Sequence, residues 1–329
     1  MSEMIGLPGI REIEAAAGRV AGVAVETPLL ESPLLNDRVG ARVLVKAEPL
    51  QRTGSFKFRG ALNKLSLIPA ADRRRGVVAY SSGNHAQGVA AAARLLGVGS
   101  TIVMPADAPS IKIRNTRAWG AEVVTYDRYS EIREEIGARI AAETGATLIK
   151  PYDDPDVMAG QGTIGLELAA QAEALGVRPD LVLVPCGGGG LIAGVSTAIA
   201  ARLPGVPVYA VEPEGFDDTG RSLEAGERLE NAAGAKSICD AILTPTPGEL
   251  TFAVNLRTLA GGLAVSDAAV RRAMAAAFET LKLVVEPGGV VALAAALDGR
   301  IDIAGKTVAV VCSGGNVDPA VFAEALGES

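Results

Sequence analysis

Between residues 76 and 150, short apolar runs alternate with amphipathic stretches. GVVAY (76–80), TIVMP (101–105), AEVVTY (121–126) and ATLIK (146–150) have the length and branched content of strands. SSGNHAQGVAAAARLLG (81–97) between the first two is helical and closed by Gly97, and SIKIRNTRAWG (110–120) is a helix ending at Gly120. SEIREEIGARIAAETG (130–145) is a third helix, with Ser130 as its cap, Ile132, Ile136 and Ile140 on one face, and Gly145 as its stop. Repeated strand–helix units of this kind imply a parallel sheet.

A second series follows. AGQGTIGLELAAQAEALG (159–176) is a helix and LVLVP (181–185) a strand. GGGGLIAGVSTAIAARL (187–203) is a turn and helix, and VPVYAVEP (206–213) a strand. SDAAVRRAMAAAFETL (266–281) is a capped helix, and TVAVVCSGG (307–315) a strand running into a glycine turn. The first 50 residues share no pattern with the 76–150 unit and are expected to return to the second series. The expected organisation is a larger domain of residues 1–70 and 151–329 and a small mobile domain of residues 71–150. The chain ends soon after its last glycine turn, so no appended regulatory domain is expected.

Composition narrows the class. Of 329 residues 49% are hydrophobic but only 4% aromatic, so the core is built from Ala, Val, Leu and Ile; with 39 glycines this suits helices lying close on a sheet. The net charge is −7, with no basic block, which argues against a nucleic-acid partner. The three cysteines, Cys186, Cys239 and Cys312, lie far apart and outside metal-type spacings, and the N-terminus lacks the build of a signal peptide. A cytoplasmic protein is expected. Residues 181–201 are uncharged and long enough to span a bilayer, but Pro185 and four consecutive glycines break them into a buried strand, a turn and a buried helix. No membrane span is expected.

The chemistry sits in the turns. Gly187, Gly188, Gly189 and Gly190 follow a strand and open a helix, so their N–H groups can point into one space beside the positive helix end, a ready anion site. One glycine would suffice for a tight turn alone. Gly188, Gly190 and Ala193 also match a dinucleotide fingerprint, with Glu212 ending the next strand, so this segment taken alone leaves NAD open. SSGNHAQG (81–88) offers the hydroxyls of Ser81 and Ser82 and the amide of Asn84, although serine and asparagine at a helix start are also ordinary caps. CSGGN (312–316) adds Ser313 at another strand end. In TGSFKFRGA (53–61) a lysine, Lys57, stands between Phe56 and Phe58. A desolvated lysine has a lowered pKa and forms Schiff bases with aldehydes. A phosphate cradle, polar contacts and such a lysine together match pyridoxal phosphate, whereas NAD leaves Lys57 without a purpose.

These motifs, with ETPLLESPLLN (26–36), PYDDPDVMAGQGT (151–163), AVEPEGFDD (210–218) and VVEPGGVVALAA (284–295), run in order over nearly the whole chain. The sequence resembles the fold-type II pyridoxal-phosphate enzymes, specifically the group of serine/threonine dehydratases, serine racemases and hydroxyaspartate dehydratases. The resemblance implies an α/β fold like the tryptophan synthase β chain, with two open, twisted, mostly parallel sheets flanked by helices. It implies that Lys57 carries the cofactor, Asn84 contacts its ring hydroxyl, Gly187–Gly190 hold its phosphate and Ser313 bonds the pyridine nitrogen. A hydroxyl at that nitrogen leaves the ring uncharged and favours β-elimination.

Three details bear on the substrate. Ser82 would be a second acid/base opposite Lys57, with Ser81, Asn84 and His85 beside the substrate, although His85 as a packed residue at the helix start is the stronger reading of that residue alone. Glu212, the carbonyl of Phe216, and Asp218 would hold Mg²⁺, Ca²⁺ or Mn²⁺, although the same residues would serve as an acidic surface loop. Arg133 would grip a second substrate carboxylate, although among Glu131, Glu134 and Glu135 it would equally suit a solvated helix face. The expected activity is dehydration of a β-hydroxy-α-amino acid, leaning to 3-hydroxyaspartate and giving iminosuccinate or oxaloacetate, with serine and threonine also eligible. Serine or aspartate racemisation is the alternative, and a dinucleotide-dependent oxidoreductase the distant one. A homodimer acting on a small amino acid is expected.

Overall fold

The computed structural model describes residues 6–81, 83–108, 110–127 and 129–327. Among the described residues ten strands form two sheets: β1 Leu29–Leu30, β2 Arg42–Ala47, β3 Val77–Tyr80, β4 Ser100–Pro105, β5 Glu122–Tyr126, β6 Thr147–Leu148, β7 Leu181–Pro185, β8 Val208–Pro213, β9 Gly261–Val265 and β10 Thr307–Cys312. The larger sheet has the order β1-β2-β10-β7-β8-β9, and the smaller β5-β4-β3-β6. Every pairing is parallel except β1 against β2. Parallel sheets need both faces covered, which is why β3, β7 and β10 are almost wholly buried Val, Leu and Ala.

β2 pairs in register with β10 from Thr307↔Arg42 to Cys312↔Ala47, so the N-terminal segment does return to the C-terminal half. The uncharged 181–201 stretch is β7, the glycine turn and the start of helix Gly190–Arg202. No helix among the described residues is long and apolar enough to cross a membrane.

The helix Pro155–Ala174 organises the interior. Asp154 caps it by accepting from the N–H groups of Asp156 and Val157. Its glycines let two neighbours approach at backbone distance. A Cβ on Gly160 would stand 2.6 Å from the Cα of Gly60, and one on Gly194 would stand 2.3 Å from the carbonyl oxygen of Met158. Helix Lys57–Ser66 is thus pressed against one side of it and helix Gly190–Arg202 against the other.

The third amphipathic stretch differs from expectation at its start. Its helix runs Arg133–Thr144 with Ile132 at the N-cap position, and Ser130 instead donates its hydroxyl to Asp127 in the preceding turn. Ile136 is buried and Ile140 half-buried, but Ile132 is 56% exposed, because it precedes the helix and so escapes its apolar face. Strand β9 was not legible beforehand. Its first two residues are glycines, and a Cβ on Gly262 would stand 2.4 Å from the Cα of Gly220.

Candidate active site

Helix Lys57–Ser66 begins at the lysine itself. The turn before it is pinned to the end of β10: Ser55 bridges Gly314, and the Phe56 N–H donates to the carbonyl of Ser313 at 3.0 Å. Gly88 lets helix Asn84–Leu96 approach, since a Cβ there would lie 3.1 Å from the carbonyl carbon of Lys57. The Nζ of Lys57 donates to the Pro151 carbonyl at 2.6 Å and lies 5.2 Å from the centre of the Phe56 ring. Phe58 does not complete the flanking pair expected from sequence. It turns the other way, fully buried with Ala61 and Leu62 in the core under the smaller sheet, because successive helix positions diverge by about 100°. Burial pulls the Lys57 amine down to about 8.

Across the cleft, Gly187–Gly190 link β7 to helix Gly190–Arg202. Gly189 has φ +90, a conformation that favours glycine. A Cβ on Gly188 would stand 2.5 Å from the Tyr152 ring, and one on Gly187 would stand 3.0 Å from Ile242. The loop is braced from behind: Thr251 donates its hydroxyl to the Gly188 carbonyl at 2.7 Å, and Asp153 accepts from the N–H groups of Leu250 and Thr251. No side chain among the described residues caps the helix, so its first-turn donors are left for a guest in the cleft. This bare-backbone cradle fits a phosphate monoester, and the partly neutral lysine facing it fits an aldehyde.

Of the other residues expected to meet cofactor or substrate, all that are described converge on the same cleft. Ser81, Asn84, His85, Arg133 and Ser313 line it. Ser82 lies outside the described residues. The Ser81 hydroxyl accepts from the Gly83 N–H at 3.2 Å. His85 is buried and contacts the Ile149 carbonyl through Nε2 at 3.0 Å. Burial first, and Lys57 next, push the imidazole down to about 3, so it is neutral and donates this bond. Arg133 holds its guanidinium 5.6 Å from the Tyr80 ring centre and pairs with Glu134 at 2.8 Å.

The acidic turn lies behind the glycine loop, where Cys186 meets the hydroxyl of Thr219 at 3.3 Å. Glu212 is fully buried and accepts from the N–H groups of Thr219 and Gly220, while Phe216 closes the turn by donating to the Pro213 carbonyl. Asp218 accepts from Asn231 through Oδ1, and its buried Oδ2 has no partner among the described residues. Burial raises Glu212 to about 8, with Asp218 adding to it, and burial raises Asp218 to about 6. Two buried carboxylates, one with a free oxygen, are a donor set that fits a hard cation.

Sequence reasoning gave no role to three groups that the fold brings here. Glu286, Tyr152 and the Lys112–Asp240 ion pair (2.6 Å) all line the cleft. Glu286 and Tyr152 stood inside the quoted motifs VVEPGG and PYDDPD, so position within a motif was the available signal. Lys112 and Asp240 carried none, being 128 residues apart.

The chain is similar to known proteins over nearly its whole length. The family model described as pyridoxal-phosphate dependent enzyme matches residues 20–314. An L-threo-3-hydroxyaspartate ammonia-lyase from Pseudomonas sp. is 44% identical over 97% of this chain and 99% of its own. One from Saccharomyces cerevisiae is 43% identical over 95% of this chain and 94% of its own. The crystal structure of a T.th. threonine deaminase superposes with a TM-score of 0.89 at 48% identity, covering 94% of this chain and 99% of that one. The chain belongs to the pyridoxal-phosphate-dependent enzymes and has their fold-type II architecture.

Proposed function

We propose that this enzyme dehydrates 3-hydroxyaspartate to an enamine that tautomerises and hydrolyses to oxaloacetate and ammonia. The observation that carries the choice of substrate is the placement of Arg133: its guanidinium stands in the wall of the cleft that also contains Lys57. A dicarboxylate needs a planar cation away from the reacting carbon, and only a guanidinium offers a two-pronged grip. The names of the two ammonia-lyase relatives support the same substrate class.

Bound pyridoxal phosphate supplies an aldehyde and a conjugated ring that draws electrons from the substrate α-carbon. The protein does the rest. Gly187–Gly190 would hold the phosphate, Ser313 would meet the ring nitrogen and Asn84 the ring oxygen. Lys57 would hold the cofactor and would be the base for the substrate α-proton; its lowered pKa suits it to this. Ser82 is the acid/base for the opposite face. The acidic turn of Glu212, Phe216 and Asp218 holds a divalent cation that fixes the back of the glycine loop. Residues 71–150 act as a small unit that closes on residues 1–70 and 151–329, with the Lys112–Asp240 pair as one closing contact. Two such chains form the working dimer, in the cytoplasm.

The test is a substrate panel of erythro and threo 3-hydroxyaspartates and both enantiomers of serine and threonine, scored for keto acid and for inversion, with Arg133→Ala beside the native enzyme. A charge-assisted bidentate contact is worth roughly 2–3 kcal/mol, so the variant should lose on the order of 30- to 150-fold in kcat/KM on hydroxyaspartate and little on serine. Equal losses on both would make Arg133 a packing residue and return the assignment to serine/threonine dehydratase. Inversion outpacing keto-acid formation would make the enzyme a racemase.

A further inference from the structure

Asn84 is asked to present an N–H to the ring oxygen of the cofactor, yet an amide can flip and present its carbonyl instead. The flip is decided by neighbours, and here they form a chain that begins at an unambiguous acceptor. The carbonyl of Thr53 accepts from Nδ2 of Asn316 at 2.7 Å. A carbonyl can only accept, so the NH₂ end of Asn316 must face it. The same Nδ2 donates its second hydrogen to Oδ1 of Asn84 at 2.8 Å, which forces the carbonyl end of Asn84 toward Asn316. The NH₂ end of Asn84 therefore faces the other way, where it donates one hydrogen to Oε1 of Glu286 at 2.5 Å. One N–H of Asn84 remains, with no partner among the described residues, on a side chain that lines the cleft.

The backbone is shaped around this chain. A Cβ on Gly314 would lie 2.2 Å from Oε1 of Glu286, and one on Gly54 would lie 2.7 Å from Oδ1 of Asn316, so both partners occupy space that only glycine leaves. The Glu286 N–H donates to the Gly314 carbonyl at 3.0 Å, and the Ser313 N–H to the Gly289 carbonyl at 3.0 Å, tying the carboxylate to the turn that bears Ser313. Burying a carboxyl group this deeply costs free energy that its hydrogen bonds must offset, and burial raises Glu286 to about 7.

We infer that Asn316 and Glu286 are positioning residues: from either side they lock the amide of Asn84 so that its remaining N–H, and not its carbonyl, meets the ring oxygen of pyridoxal phosphate. The inference rests on the reading of Asn84 given above. It assigns a purpose to the last residue of CSGGN and to the glutamate of VVEPGG.

The experiment measures the absorption spectrum of the holoenzyme without substrate and the Kd for pyridoxal 5'-phosphate. Asn316→Asp replaces the donor by an acceptor, turning the Asn84 amide around. It is expected to weaken cofactor binding on the order of tenfold, the worth of one hydrogen bond, and to move the absorption of the bound cofactor. Asn84→Ala should give the same spectral change. Glu286→Gln keeps an acceptor and should restore the native spectrum, whereas Glu286→Leu should not. If Asn84→Ala alters the spectrum and Asn316→Asp does not, the relay is refuted while the Asn84 contact stands. If neither alters it, the underlying contact is refuted. Should Asn316→Asp fail to fold, the double variant Asn316→Ala with Glu286→Leu decides: it removes both partners and frees the flip, so an unchanged spectrum and Kd overturn the proposal.

Discussion

The lowered pKa of Lys57 governs how the apoenzyme takes up its cofactor. A free amine must attack the aldehyde, so the loading rate follows the neutral fraction of the lysine. With its amine at about 8, roughly one tenth of Lys57 is neutral at pH 7, against about one in three thousand for a solvated lysine at its ordinary 10.5. The perturbation is pH, and the assay is stopped-flow absorbance after mixing apoenzyme with pyridoxal 5'-phosphate. The rate should climb about tenfold per unit up to roughly pH 8 and then level off. The same shift has a stability consequence. Between about 8 and 10.5 the unfolded chain holds a proton that the folded apoenzyme has released, so apoenzyme stability rises with pH across that window. The full shift of about 2.5 units corresponds to at most about 3 kcal/mol, reduced because the side chain is partly open to the cleft. Loading consumes the amine and should abolish that slope. A rate that keeps rising to about pH 10 would refute the reasoning, since it would mean that Lys57 is solvated in the apoenzyme.

Borohydride should fix the cofactor to Lys57, seen as a labelled peptide, and Lys57→Ala should abolish turnover with the thermal transition retained. Chelation should lower the thermal midpoint of the holoenzyme and Mg²⁺, Ca²⁺ or Mn²⁺ should restore it, with Asp218→Ala insensitive to both; a midpoint unmoved by chelator would reduce the acidic turn to a helix cap. Gly188→Ala puts a methyl 2.5 Å from the Tyr152 ring and should weaken cofactor binding by roughly 10- to 100-fold, read as Kd. Arg59→Met should cost about 3–5 kcal/mol in denaturant unfolding, because Arg59 is fully buried between Glu48 and Glu167 and its loss leaves Glu48 without an ion-pair partner, bonded to the Thr27 hydroxyl, and Glu167 with Lys46.

Much of this enzyme is determined by local sequence. The alternation of apolar runs and amphipathic stretches is a local signal, and it was enough to place β3, β4, β5 and β7 and the helices between them. Four successive glycines after a buried strand announce an anion cradle for the same reason: the backbone there has no side chain to block it. Tertiary structure decided whatever depends on residues distant in the chain. Strand β9, which opens with two glycines, is a strand because it pairs along β8, and its Gly262 leaves the room that Gly220 occupies. Phe56 and Phe58 look equivalent in sequence, yet one faces the cleft and the other the core, because the helix starts between them. The same holds for Glu286, a glutamate before a proline that reads as an ordinary helix start. Its contact with Asn84 spans 202 positions, and no periodicity or spacing encodes a hydrogen bond made across that distance.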